Sequence, residues 1–114
     1  MLVDPRSLSA GERLELSRRR SGLTQREAAE LLGWPFKTYV RAEHGDVDVD
    51  APPVLSLSAG EECYLARRRA GLTLSELEEL SGYARRWVHR VERGQARDSG
   101  PLLEWWLRKT QSDR

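Results

Sequence analysis

Five side chains that carry or can accept a positive charge cluster in one short segment: Arg85, Arg86, His89, Arg90 and Arg93. The formal net charge of the whole sequence is only +1, so this cluster concentrates positive charge on one part of a balanced surface. A guanidinium group fits the paired acceptors of guanine, and one such contact discriminates between bases by about 1–3 kcal/mol. The segment therefore has side chains suited to nucleic-acid recognition if one helix presents them to solvent.

Catalytic and metal chemistry have little support in the sequence. Cys63 is the single cysteine, and His44 and His89 are the two histidines, so no disulfide forms within the chain and no structural zinc site is expected. No nucleophile is paired with an oriented base, and no glycine-rich phosphate loop is present. We therefore expect no enzyme activity, no metal, no cofactor and no small-molecule ligand.

Length and composition limit the architecture. A chain of 114 residues with 39% hydrophobic residues can bury one modest core or two very small ones. No apolar run approaches the roughly 20 residues that cross a bilayer, and the first residues lack the basic and apolar regions of a signal peptide. These features predict a cytoplasmic protein with no membrane association.

The sequence contains an internal repeat at a constant offset without a gap. The residues LSAGE at 8–12 recur at 57–61, RRR at 18–20 recurs at 67–69, and GLT at 22–24 recurs at 71–73. Such self-similarity predicts two copies of one supersecondary unit in tandem. Between the copies, alternate acids and two prolines at 46–54 predict an extended linker.

Each copy is predicted to form three short helices. Ser9 and Glu12 have the spacing of a capping box, in which the hydroxyl and the carboxylate each accept from an unsatisfied backbone donor. Thr24 and Glu27 repeat this spacing, as do the equivalent residues of the second copy. Glycines follow each helix, and no stretch alternates as a strand would. The predicted class is therefore all-α.

This pattern divides the chain into a first unit at 1–45, an Asp/Pro linker at 46–56, a second unit at 57–94, and a C-terminal apolar helix and tail at 95–114. The last segment is too apolar for a free tail because it contains Leu102, Leu103, Trp105, Trp106 and Leu107. Two interpretations remain open for it. The segment either completes the core of the second unit or joins two chains.

The segment from Gly22 to Gly45 resembles the helix-turn-helix of the phage repressor/Cro (XRE-type) family. The resemblance rests on the spacing of Gly-Leu-Thr, Glu, Leu-x-Gly and Arg-x-Glu-x-Gly. The segment from Gly71 to Gly94 is similar to a second, more divergent copy. The resemblance implies two tandem lambda-repressor-like helix-turn-helix units of about three helices each, plus a C-terminal helix, with the third helix of a unit entering the major groove.

The same resemblance implies which side chains contact DNA. Gln25 and Arg26, at the start of the second helix, would donate to the phosphate backbone. The bases would be read by side chains on the third helix of each copy: Phe36, Lys37, Val40 and Arg41 in the first, and Arg85, Arg86, His89 and Arg90 in the second. Phe36 and Val40 offer apolar contact alone, for example to a thymine methyl group.

The two copies differ at positions that matter for this chemistry. Leu74 and Ser75 replace Gln25 and Arg26, and Glu78 replaces the small Ala29. An acid at that position is expected either to turn outward or to separate the helices. We therefore expect unequal copies, one of which reads sequence while the other clamps DNA or contacts a protein.

The resemblance implies two ion pairs, which we interpret as structural. Arg18 is expected to pair with Glu43, and Arg67 with Glu92. These pairs would fix the third helix of each copy against the first.

The predicted function is sequence-specific binding of double-stranded DNA by a small bacterial or phage transcriptional regulator. A homodimer through Trp105 and Trp106 is a secondary hypothesis. One alternative is a protein-interaction module with a degenerate helix-turn-helix that binds a toxin, a polymerase or a phage partner. Another is a phage DNA-packaging or architectural protein, which would bind DNA with little base preference.

Overall fold

The regular structure of the protein is helical throughout the part that the computed structural model describes, residues 1–112. A short 3-10 helix at Pro5–Ser7 precedes seven α-helices: α1 Ala10–Arg20, α2 Gln25–Leu32, α3 Phe36–His44, α4 Ala59–Ala70, α5 Leu74–Ser81, α6 Arg85–Glu92 and α7 Gly100–Ser112. No strand occurs in this range, so the predicted all-α class is confirmed. None of the described helices is long and apolar enough to cross a membrane.

The described chain divides into two compact units. The first unit runs from Pro5 to Leu55, and the second unit combines Met1–Asp4 with the residues from Ser56 onward. The first unit contains α1, α2 and α3, and the second contains α4, α5, α6 and α7. The first four residues thus belong to the second unit, whereas the next helices in the chain, α1, α2 and α3, belong to the first.

Capping boxes begin the first two helices of each unit, as predicted. At the start of α2, the Glu27 backbone N–H donates to Thr24 Oγ1 at 3.1 Å, and the Thr24 N–H donates to Glu27 Oε1 at 2.9 Å. The hydrogen bond from the Thr24 backbone lowers the pKa of Glu27. The helix α1 and the helices α4 and α5 begin in the same way. Because each box satisfies two backbone donors, the local sequence alone sets these helix starts.

The turn between the second and third helices requires glycine in both units. Gly33 ends α2 with φ 70°, and Gly82 ends α5 with φ 80°. This left-handed region is costly for residues that carry a Cβ atom. The chain can therefore reverse tightly and bring the third helix against the second.

The core of the first unit is small and lies between its three helices. Its buried members are Leu14, Ala28, Ala29, Tyr39 and Ala42. Val49 and Ala51, which follow α3, pack against this cluster. The Asp/Pro segment therefore contributes apolar side chains to the core of the first unit.

The core of the second unit uses α7 to bury a larger apolar cluster. Leu102 is 0% and Trp106 is 4% exposed, and both pack with residues of α4, α5 and α6. Leu2 also packs against this cluster, and the Val3 N–H donates to the buried Glu62 Oε1 at 2.9 Å. The C-terminal apolar segment thus completes the second core, which is the first of the two interpretations that the sequence left open.

Cys63 lies inside this second core with no exposed surface. Burial, followed by the nearby Glu92 and Glu62 carboxylates, raises the pKa of the thiol to about 12. The group is therefore protonated at neutral pH and acts as a small apolar side chain.

Candidate nucleic-acid interface

A buried ion pair fixes the third helix of each unit against the first helix. Arg18 Nε donates to Glu43 Oε2 at 2.7 Å, and Arg67 Nε donates to Glu92 Oε2 at 2.8 Å. Both glutamate side chains are 1% exposed, whereas the arginine side chains are 17% exposed. The two predicted ion pairs are confirmed. Each one sets the rotation of the helix that follows the turn.

The carboxylate of Glu43 has an additional partner that the sequence did not predict. Gln25 Nε2 donates to Glu43 Oε1 at 2.9 Å, so the Gln25 amide contacts the ion pair. Burial opposes the ionised form of Glu43, but the hydrogen bond from Arg18 and the adjacent Tyr39 and Gln25 side chains outweigh burial and lower the pKa of Glu43. Gln25 is half-buried, which leaves Arg26 as the exposed donor at the start of α2.

In the second unit, the corresponding carboxylate is held by arginine with two short bonds. Arg67 Nη2 donates to Glu92 Oε1 at 2.8 Å, whereas the equivalent Arg18 bond in the first unit is 3.3 Å long. Leu74, at the position of Gln25, packs against the apolar core instead. The two units therefore hold their third helices by the same kind of Arg–Glu ion pair. The neighbour of that pair is a glutamine amide in the first unit, and a leucine takes the position of this glutamine in the second.

The helix α6 presents a basic face to solvent and an apolar face to the core. Val88 and Val91 are fully buried. The outward side chains are Arg85, Arg86, His89 and Arg90, and all four are exposed. The sole acidic residue of α6, Glu92, is directed inward to Arg67. The outer face of this helix is therefore uniformly basic, as groove binding requires.

The helix α3 presents a more mixed face. Lys37 and Arg41 are exposed, Phe36 is 36% exposed, and Val40 is half-buried. Tyr39 is buried on the opposite face. The first unit thus offers two cations and one exposed aromatic ring at the positions where the second unit offers arginine and histidine.

The second and third helices touch at equivalent positions in the two units. The contact is a cation–π interaction in the first unit and a hydrogen bond in the second. In the first unit, the guanidinium carbon of Arg26 lies 4.3 Å from the centroid of the Phe36 ring, within the range of a cation–π contact. In the second unit, Arg85 Nη1 donates to Ser75 Oγ at 2.8 Å. The cation is on the second helix, α2, in the first unit and on the third helix, α6, in the second.

Glu78 caps the N-terminal end of α6. The backbone N–H of Arg85 donates to Glu78 Oε2 at 2.8 Å, while Ala84, at the N-cap position, supplies no side-chain hydrogen bond. The sequence led us to expect an acid that turns outward or separates the helices. Instead, the carboxylate turns toward the first turn of α6 and replaces the missing cap.

Replacing Glu78 with alanine is expected to lower the free energy of unfolding of the second unit by about 1 kcal/mol, because the first turn of α6 loses its cap. The Glu79→Ala variant is the matched control, since Glu79 is an exposed neighbour on the same helix. Chemical denaturation of both variants measures the difference. Equal stability of the two would contradict the capping role.

The predicted contact residues fall on both units. Gln25, Arg26, Phe36, Lys37, Val40 and Arg41 lie on α2 and α3, and Arg85, Arg86, His89 and Arg90 lie on α6. Sequence reasoning missed the role of Glu78, although an acid in place of a small residue, followed by an alanine N-cap, is a usable signal. Among the described residues, no group of histidine, cysteine and acidic side chains could hold a metal ion.

The comparisons with known proteins agree with the geometry of the second unit. Residues 64–108 match the family described as "Helix-turn-helix domain", which is related to the XRE-type helix-turn-helix. The match begins in α4, includes α5 and α6, and ends in α7. The curated proteins and the solved structures give no match. Residues 64–108 are thus similar to a helix-turn-helix domain, a class that is associated with DNA binding and is typically not enzymatic.

Proposed function

We propose that the protein is a transcriptional regulator that binds double-stranded DNA sequence-specifically, with α6 as its main reading helix in the major groove. The observation that carries this proposal is the exposed basic face of α6, which lies inside the segment that matches the helix-turn-helix family. The buried Val88 and Val91 and the Arg67–Glu92 pair hold this face outward. Preorganised cations of this kind bind without further ordering of the backbone.

Arg86 and Arg90 are the strongest candidates for base reading in the second unit. They are one helical turn apart, so their side chains leave α6 on the same side. Arg85 is also exposed, but its guanidinium donates to Ser75 and its backbone N–H donates to Glu78. We therefore assign base contacts to Arg86 and Arg90 and a bridging role between α5 and α6 to Arg85.

We further propose that the first unit is a second helix-turn-helix copy that contacts DNA less strongly. Its first two helices begin with the same capping boxes, and it has the same glycine turn and the same ion pair as the second unit. Arg26, Lys37 and Arg41 are exposed there and can donate to phosphates. Tandem copies would let one chain address two half-sites.

One observation favours protein interaction as a second function of the first unit. Leu31 is 75% and Leu32 is 48% exposed on α2, and exposed apolar side chains are common at interfaces. Trp106, by contrast, is buried within the second unit. A homodimer through Trp105 and Trp106 therefore has little accessible aromatic surface and is not included in the proposal.

The proposal is tested by selecting bound duplexes from a random library and measuring their affinity by fluorescence anisotropy at several salt concentrations. Wild type is expected to lose affinity steeply as salt rises. The Arg86→Ala plus Arg90→Ala variant is expected to bind about 10- to 100-fold more weakly and with relaxed base preference. Arg97→Ala, at an exposed arginine outside α6, is the control and should bind almost as wild type.

Two other outcomes would favour the alternative functions. Salt-dependent binding without base preference would favour the architectural alternative. The absence of duplex binding with every pool would contradict the proposal and favour protein interaction.

A further inference from the structure

We propose that Phe36 recognises the 5-methyl group of a pyrimidine in the major groove and that Arg26 holds its ring in position. This inference rests on the proposed function, because it names the chemical group that the first unit reads. The shared chemistry of the ligand is the methyl group itself, which thymine and 5-methylcytosine both present.

The apolar core of the first unit does not account for the presence of Phe36. The buried aromatic residue of the first unit is Tyr39, and the half-buried Trp34 packs against the same core with its ring centroid 6.1 Å from that of Tyr39. Phe36 is outside this cluster and is 36% exposed at the first position of α3. An exposed phenyl ring at this position keeps apolar surface in water unless a ligand covers it.

The Phe36 ring is held in place by its neighbours. The cation of Arg26 lies over its face at 4.3 Å from the ring centroid. Pro35, with φ −57°, precedes the helix directly, and its ring restricts the backbone at that point. Restraint on both sides lowers the entropy that the ring would lose when it contacts a ligand.

The position of Phe36 carries a different kind of side chain in the second unit. Arg85 stands where Phe36 stands, and Ser75 stands where Arg26 stands, and each pair is in contact. The guanidinium group of Arg85 is a hydrogen-bond donor, here to Ser75, whereas a phenyl ring can make no hydrogen bond. In the major groove, the apolar group that bases present is the pyrimidine 5-methyl group. The first unit therefore reads a methyl group where the second unit has a donor.

The experiment uses the full chain and a duplex obtained by the selection described above. Each thymine is replaced in turn by deoxyuridine, which removes the methyl group and leaves the base-pair hydrogen bonds intact. Wild type is expected to bind about four-fold more weakly when one particular thymine is replaced, which corresponds to the ~0.8 kcal/mol of one buried methylene-sized group. Phe36→Ala should bind the two duplexes equally, and Arg85→Ala should keep the difference.

A second arm identifies the source of the methyl group. At the sensitive position, cytosine and 5-methylcytosine duplexes are compared. Tighter binding of 5-methylcytosine by wild type, and not by Phe36→Ala, supports recognition of the methyl group in either base. A response to thymine alone supports recognition of that base pair. The role of Arg26 as a positioning residue is checked by the thymine-to-uracil ratio, which Arg26→Ala should reduce and Arg26→Lys should largely restore.

The outcomes separate this inference from the proposed function. If a selected duplex binds in a salt-dependent manner but no thymine replacement changes its affinity, the methyl-reading inference is overturned and the proposed function stands. An unchanged thymine-to-uracil ratio in Phe36→Ala, with a circular dichroism spectrum like that of wild type, overturns it as well. If no duplex binds at all, both are overturned.

Discussion

Replacing Arg18 with alanine is expected to lower the free energy of unfolding of the first unit by about 3 kcal/mol at pH 7. The substitution leaves Glu43, which is 1% exposed, without the guanidinium that donates to both of its oxygens. A buried carboxylate without its cation is costly because the charge has lost both its water and its partner. Gln25 still donates to Glu43, which limits the loss to the lower end of the usual range.

The pH dependence of this loss gives the prediction a second test. The pKa of Glu43 is lowered in the folded protein, so this group adds stability above the unfolded-state value near 4.5 and loses it as the pH falls through the folded-state value. In Arg18→Ala, the opposing effect of burial dominates and the pKa of Glu43 rises. The deficit relative to wild type should therefore be largest at neutral pH, shrink as the pH falls through the raised pKa of Glu43 in the variant, and shrink further below about 4.5.

Hydrogen exchange followed by mass spectrometry measures this effect helix by helix, so the stability of α1 and α3 is read separately from that of the second unit. Arg20→Ala is the control, because Arg20 is an exposed arginine on the same helix. The double variant Arg18→Ala plus Glu43→Gln should be more stable at pH 7 than Arg18→Ala alone, since residue 43 no longer carries a buried charge without its cation. A deficit that does not vary with pH would show that the loss arises from packing and not from the Glu43 charge.

The sequence predicts well those features that depend on residues close together along the chain. A capping box involves residues three positions apart, and a glycine turn depends on one backbone conformation. Both are decided before any tertiary contact forms, so the four capping boxes and the glycines after α2 and α5 were predictable. The Arg18–Glu43 pair is different, because its partners are 25 positions apart. It was predictable only through the resemblance to a known family.

The contacts that escaped prediction depend on the packed structure. The hydrogen bond from Val3 to Glu62 joins residues 59 positions apart, and no local pattern marks either end. The cap that Glu78 provides for α6 exists only because α5 and α6 pack together after the turn. The Gln25 amide bonds to Glu43 because both lie beside the same core. Such side chains have several donors or acceptors within reach, and packing decides which one is used.

Gly60 marks a place where the backbones of α4 and α6 come into contact. A Cβ atom at Gly60 would fall on the carbonyl oxygen of Val91, near the end of α6. Gly11 occupies the equivalent position in the first unit, where a Cβ atom would lie 2.7 Å from the carbonyl oxygen of Ala42. Each glycine therefore lets the first helix of its unit approach the third helix at a distance that any other residue would prevent.

Gly60→Ala is expected to destabilise the second unit by about 3 kcal/mol, at the upper end of the cost of overpacking, because the carbonyl of a helix cannot move as a flexible side chain can. The direction of the change is diagnostic, because replacing a glycine within a helix by alanine normally raises the free energy of unfolding by up to about 1 kcal/mol. Gly100→Ala is the matched control: its Cβ atom would meet the flexible side chain of Asp98 at 3.0 Å, and its effect should stay within about 1 kcal/mol.

The same substitution tests how firmly α6, the proposed reading helix, is held. Separating α4 from α6 would also stretch the Arg67–Glu92 pair, whose two bonds are each 2.8 Å long. Gly60→Ala should therefore weaken duplex binding in the fraction of protein that remains folded, whereas Gly11→Ala should affect chiefly the first unit. Urea denaturation and fluorescence anisotropy measure the two effects. Stability equal to or above that of wild type would mean that α4 can move away from α6 without cost, and the orientation of α6 would then have to be set by α5 and α7.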